Sequence, residues 1–85
     1  MHRRITNISS VERKQLLETQ NNACAICGIN ADDLVQGLCV DHNHETNQVR
    51  GLLCNACNLG LGQFKDSVVF LSYAIEYLEQ HDDFT

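Results

Sequence analysis

VRGLLCNACN, residues 49–58, decides the fold. Val49–Leu53 suits a β-strand, and it runs without a break into Cys54 and Cys57. Residues beyond the strand suit the opening turn of a helix, where unpaired amides and the helix dipole favour negative sulfur. A strand that delivers two thiolates to a helix start is half of a metal site. The other half lies upstream in CAIC, where Cys24 and Cys27 are followed by Gly28 in a turn that can aim backbone amides at sulfur. Two C-x2-C knuckles supply four thiolates for the closed tetrahedral arrangement of structural zinc. A redox pair would account for one knuckle and leave the other unemployed. Cys39, alone between them, reads as a small buried hydrophobe.

Between the knuckles, residues 38–40 suit a first strand, with a turn around Thr46, Asn47 and Gln48 leading to the second. A knuckle, a hairpin and a helix start around one zinc make a treble-clef-like α+β arrangement over about residues 23–63. Ser9 and Glu12 have capping-box spacing, which predicts a helix over about residues 10–20 with Leu16 and Leu17 facing the core. Near the other end, Val68, Leu71, Ile75 and Leu78 recur at helical spacing, which predicts a helix over about residues 67–81 capped by Asp66 or Ser67. Phe70, Tyr73 and Tyr77 are expected to pack rather than to bind. With no proline, repeat or low-complexity linker, residues 1–85 read as one domain.

A chain of 85 residues exceeds the floor of roughly 40 for independent folding, yet its apolar core alone gives marginal stability. A structural metal meets that need. No run approaches the roughly 18 apolar residues of a membrane span, and MHRRITNISSVERK lacks the apolar centre of a signal peptide. The expectation is a cytoplasmic chain with no membrane partner, its cysteines serving as ligands rather than disulfides.

VDHNHE, residues 40–45, then needs an explanation, because turn chemistry has no use for two histidines. With four cysteines on zinc, Asp41, His42 and His44 are free of structural duty. Asp41 and Asn58 offer oxygen donors of the kind a hard cation such as Mg²⁺ accepts. The His42 imidazole can take a proton from water. Together these are the equipment for metal-assisted phosphodiester hydrolysis. Singly, each also has a plainer reading: an Asp binding turn amides, a solvated strand-end His, an Asn acting as a local cap.

CAICG, VDHNHET, VRGLLCNACN and the following LG together resemble the phage recombination endonuclease VII family, within the HNH or ββα-metal nucleases. The resemblance covers about residues 16–62. It implies a ββα-metal core with flanking N- and C-terminal helices, and structural zinc on Cys24, Cys27, Cys54 and Cys57. It further implies catalytic Mg²⁺ or Mn²⁺ on Asp41 and Asn58, His42 as general base, His44 positioning phosphate and Arg50 contacting it. The function it implies is a DNA endonuclease that nicks or cleaves duplex or branched DNA, leaving 5′-phosphate and 3′-hydroxyl ends, in the host cytoplasm if phage-encoded. A homodimer or a larger phage protein partner fits the same resemblance. The alternative is a noncatalytic zinc module that binds nucleic acid or a protein.

Two positions depart from the family pattern. Asn43 stands where the family commonly has a second Asp, and Leu59, Gly60 and Leu61 stand where junction-resolving members can carry an acid. Both remove negative charge near the expected cation. The formal net charge of −5 also opposes a broad nonspecific nucleic-acid surface. Its distribution is uneven, with Arg3, Arg4, Arg13, Lys14 and Arg50 before the second knuckle and Glu76, Glu79, Asp82 and Asp83 near the end. The Arg3–Arg4 pair is the expected DNA-contacting arm.

Overall fold

Ser9 starts the first helix, α1 (Ser10–Thr19), with a complete capping box: its hydroxyl accepts from the Glu12 amide at 3.1 Å, and the Glu12 carboxylate accepts from the Ser9 amide at 3.0 Å. The computed structural model describes residues 8–81, so Arg3 and Arg4 lie outside the described residues. At its far end α1 closes with the Asn22 amide on the Leu17 carbonyl and the Asn21 amide on the Glu18 carbonyl. Those two bonds form a Schellman cap, and both asparagines have left-handed backbone, φ 58° and 59°. Asn tolerates that region better than most side chains, which is why the chain can turn sharply into the first knuckle.

A bridge between Ala23 and Asn30 pins the two ends of the knuckle, followed by a short 3-10 turn, Ala31–Asp33. The hairpin comprises β1 (Cys39–His42) and β2 (Val49–Leu53), paired antiparallel. The first strand runs two residues beyond the expected end at Val40, so Asp41 and His42 are strand residues. The register is regular from Cys39↔Leu53 to Asp41↔Gly51 and then slips, with His42 opposite Val49. Arg50 is the extra residue of this bulge, and a bulge re-aims the side chain it carries. Next come α2 (Asn55–Gln63) and α3 (Val68–His81).

Leu52 is wholly buried between α1 and the knuckles, in a core completed by Leu38, Leu53, Cys24 and Cys54. Leu16 and Leu17 pack against it, as their place on α1 predicts. The hairpin alone would be marginal, since two strands rarely stand without a covering layer. Gln20 supplies part of that cover. Its side-chain amide donates to the Leu52 carbonyl at 2.9 Å and accepts from the Leu52 amide at 2.9 Å, while also donating to the Ala23 carbonyl at 2.8 Å. Gly51 lies directly beneath, and a Cβ there would come within 3.1 Å of the Gln20 side-chain oxygen. Gln20→Ala should cost about 1–3 kcal/mol through the unsatisfied Leu52 amide and the lost bonds to the Leu52 and Ala23 carbonyls; a urea midpoint unchanged from wild type would show that this clamp is dispensable.

The C-terminal helix departs from expectation. Ser67 is its cap, with the Phe70 amide on its hydroxyl at 3.0 Å. However, Val68, Ile75, Leu78, Phe70, Tyr73 and Tyr77 are all exposed, Val68 at 78% and Tyr73 at 63%. Among the described residues only Leu71 and Ala74 of α3 are half-buried. The expectation that Phe70, Tyr73 and Tyr77 pack is therefore corrected, since all three are exposed: helical periodicity says that a face is apolar, not that this core covers it.

Candidate active site

Cys24 and Cys54 are buried, Cys57 is half-buried and Cys27 is exposed, and their four sulfurs all lie within 4.8 Å of one another. The Cys27 and Cys54 sulfurs are 3.7 Å apart. A tetrahedron with metal–sulfur bonds of about 2.3 Å has an edge of about 3.8 Å, so the cluster fits a zinc-sized ion. Cys54 occupies the N-cap of α2 and its sulfur accepts from the Cys57 amide at 3.4 Å; the Ile26 amide donates to Cys24 at the same distance. Gly28, at φ 80°, gives the first knuckle its tight turn.

Charge is distributed unevenly over these sulfurs. Burial pushes the Cys24 thiol up, but hydrogen bonds from the amides of Cys54, Cys27 and Ile26 and from the Cys27 side chain outweigh it and bring it down to about 6. Burial, and then hydrogen bonding to Cys54, Cys27 and Cys24, pushes Cys57 up to about 12. Four thiolates at this spacing repel one another, and a divalent cation at their centre is the natural counter-charge.

The knuckles fix two walls of a second feature. The end of β1, His44 and α2 border a hollow of about 370 Å³ whose lining includes Asp41, His42, His44, Asn58, Gly62 and Gln63. Asn58 is held there by α2, its amide bonded to the Cys54 carbonyl at 3.0 Å. Asp41 and His42 are buried, at 8% and 9% exposure, while the His42 and His44 rings tilt against each other with centroids 4.8 Å apart. A carboxylate and a carboxamide on one hollow form an oxygen donor set suited to Mg²⁺ or Mn²⁺.

Both oxygens of Asp41 are engaged by Arg50. The guanidinium donates from Nε at 2.8 Å and from Nη2 at 3.0 Å, and Nη2 also reaches Asp66 at 3.3 Å. The bond to Asp41 raises Arg50 above its ordinary value, against the opposing effect of burial. Asp66 also lies 3.8 Å from His44 Nε2. A second, adjoining hollow of about 330 Å³ includes Arg50, Asp66, His44 and Lys65 in its lining.

Sequence reasoning offered Asp66 only as a helix cap, whereas it faces the site. It arrives there because α2 ends in a Schellman cap, with the Asp66 amide on Leu61 and the Lys65 amide on Gly62, and both residues in left-handed backbone. Lys65 holds a position that usually takes Gly, which hid the turn from view. An acid thus stands near the site despite Leu59, Gly60 and Leu61. Asn43, the other departure, serves the turn: its side-chain oxygen accepts from the amides of Glu45 and Thr46 at 2.8 and 3.0 Å.

Comparison with known proteins bears on this site. The profile of the recombination endonuclease VII family matches residues 1–80. The chain is 44% identical over 72 residues to the Gene 59 protein of Mycobacterium phage L5, covering 84% of this chain and 43% of that protein. With the Gene 59 protein of Mycobacterium phage D29 the identity is 40% over 74 residues, covering 86% and 44%. The chain therefore spans less than half the length of these curated relatives. Among solved structures it is similar to the beta-beta-alpha-Me type II restriction endonuclease Hpy99I, with a TM-score of 0.58 and 37% identity over 91% of this chain and 45% of that one.

Proposed function

The chain belongs to the recombination endonuclease VII family, and from that membership we propose that it is a metal-dependent endonuclease that hydrolyses phosphodiester bonds in duplex or branched DNA. The observation that carries this reading is the convergence of Asp41, His42, His44 and Asn58 on one hollow beside the cysteine cluster. Cys24, Cys27, Cys54 and Cys57 would hold structural zinc, which fixes β2 and α2 relative to each other. Asp41 and Asn58 would hold Mg²⁺ or Mn²⁺, which when bound supplies positive charge to the phosphoryl oxygens.

His42 acts as general base. Its neutral imidazole takes a proton from water as the water oxygen bonds to phosphorus, and the bond from phosphorus to the leaving 3′ oxygen breaks. That oxygen gains a proton from solvent, leaving 5′-phosphate and 3′-hydroxyl ends. His44, exposed at the mouth, positions the phosphate, and Arg50 offers it a guanidinium. In an infected host this chemistry belongs in the cytoplasm, with DNA as the partner.

A noncatalytic zinc module that binds nucleic acid or protein is the second reading. The bidentate grip of Arg50 on Asp41 favours it, as does the net charge of −5. A supercoiled-plasmid assay separates the two. The 85-residue chain should nick plasmid with Mg²⁺ or Mn²⁺ and stop on addition of EDTA. Asp41→Ala should lose nicking by about 10²-fold or more, as removal of a charge-stabilising group does; undiminished nicking by that variant would defeat the proposal.

A further inference from the structure

The bulge in β2 has a chemical result. In an unbroken ladder Arg50 would pair with His42 and point to the face opposite Asp41, because side chains alternate along a strand. The slip between Asp41 and His42 instead brings its guanidinium onto Asp41. The arrangement is side-on and two-pronged, so it takes up both carboxylate oxygens. Asp66, delivered by the turn that ends α2, accepts from the same Nη2 group that bonds Asp41, at 3.3 Å. The Asp41 carboxylate is only 10% exposed and the Arg50 side chain 37%. A solvent-reachable cation therefore sits on a sheltered anion.

Two cations cannot share that anion without cost. A divalent ion on Asp41 would lie close to a fixed guanidinium charge, and sheltering from water weakens the screening between them. Arg50 meanwhile opens onto the adjoining hollow, where a backbone phosphate would offer it an equivalent two-pronged partner.

We propose that Arg50 is a switch between the two ligands of the site: without DNA it caps Asp41 and keeps divalent-ion affinity low, and a DNA phosphate draws it off so that the ion can bind. This rests on the proposed cation site at Asp41 and Asn58. Asp66 keeps the guanidinium near the hollow during the exchange. Metal and DNA then promote each other's binding, and linkage requires the effect to be equal in both directions. The free protein is spared a fully armed site until substrate arrives.

The test is Mn²⁺ binding to the zinc-loaded full chain, read by electron paramagnetic resonance of free Mn²⁺. A His42→Ala background keeps DNA intact during the measurement. Arg50→Gln should tighten Mn²⁺ binding about tenfold or more without DNA. A short duplex should tighten binding about tenfold in the arginine protein and less than about twofold in Arg50→Gln. Equal or weaker Mn²⁺ binding by Arg50→Gln, with zinc content and circular dichroism unchanged, overturns the switch. Should that variant lose its zinc, Arg50→Lys replaces it: a single-point contact should tighten Mn²⁺ severalfold, and no change overturns the proposal. Asp41→Asn separates the two levels. If it leaves Mn²⁺ binding intact, the cation site itself is wrong and the switch falls with it; if it abolishes binding while Arg50→Gln tightens nothing, only the switch falls.

Discussion

Removing the zinc proposed for the four cysteines with a strong chelator should unfold the domain, with loss of helical circular dichroism and of the cooperative thermal transition. The reason lies in the make-up of the core. Two of its five buried apolar residues are Cys24 and Cys54, and Cys57 packs against them. Without a cation these sulfurs form a crowded polar cluster at the junction of the knuckle, β2 and α2, which the Gln20 bonds and the packing of Leu16, Leu17 and Leu61 must then hold unaided. Structural zinc in small modules contributes about 10–16 kcal/mol near neutral pH. A chain of this length has a net stability of roughly 4–13 kcal/mol at the usual per-residue figure. The metal contribution is thus as large as the whole margin. Cys24→Ser should act in the same direction, since it removes a proposed ligand whose thiolate the surrounding amides favour. Metal analysis showing complete zinc removal alongside an unaltered spectrum would contradict this expectation.

His42→Ala should lower the rate of plasmid nicking by about 10²–10⁴-fold, the usual contribution of a positioned base, while zinc content and melting temperature stay close to wild type. His42 is buried, its ring lies against His44, and it borders the same hollow as Asn58. In the proposed mechanism its loss would remove the proton acceptor, while Cys24, Cys27, Cys54, Cys57 and Leu52 are left unchanged. The effect should fall on turnover rather than on DNA affinity, because His44 and Arg50, the proposed phosphate contacts, are unchanged. Equal cleavage by the two proteins would take His42 out of the chemistry. A variant that fails to bind DNA would instead assign it to substrate positioning.

Much of this was legible before any coordinates. The knuckles are local signals: two thiolates on one tight turn, or on a helix start, are set by neighbours in the chain, so Cys24, Cys27, Cys54 and Cys57 could be grouped from spacing. Val49–Leu53 and the capped start of α1 were local in the same sense. What escaped depends on contacts across the fold. The slip at Arg50 leaves the order of residues in β2 untouched and appears only when β1 is laid beside it. Asp66 reaches the site through a left-handed Lys65, a conformation that lysine does not advertise. The apolar stripe of α3 declares a helix, but not its cover, since periodicity records the need for a partner and not its address.

Gln20 has a bearing on how the chain behaves in company. A two-stranded sheet offers an outer row of backbone groups on which any extended peptide can template itself, and this is the route to fibrils and edge-to-edge aggregates. Along β2 that berth is taken at Leu52, where the glutamine amide presents one donor and one acceptor in the way a neighbouring strand would, and the Ala25 amide joins it at 3.2 Å. One side chain thus acts as a counterfeit third strand that cannot be extended.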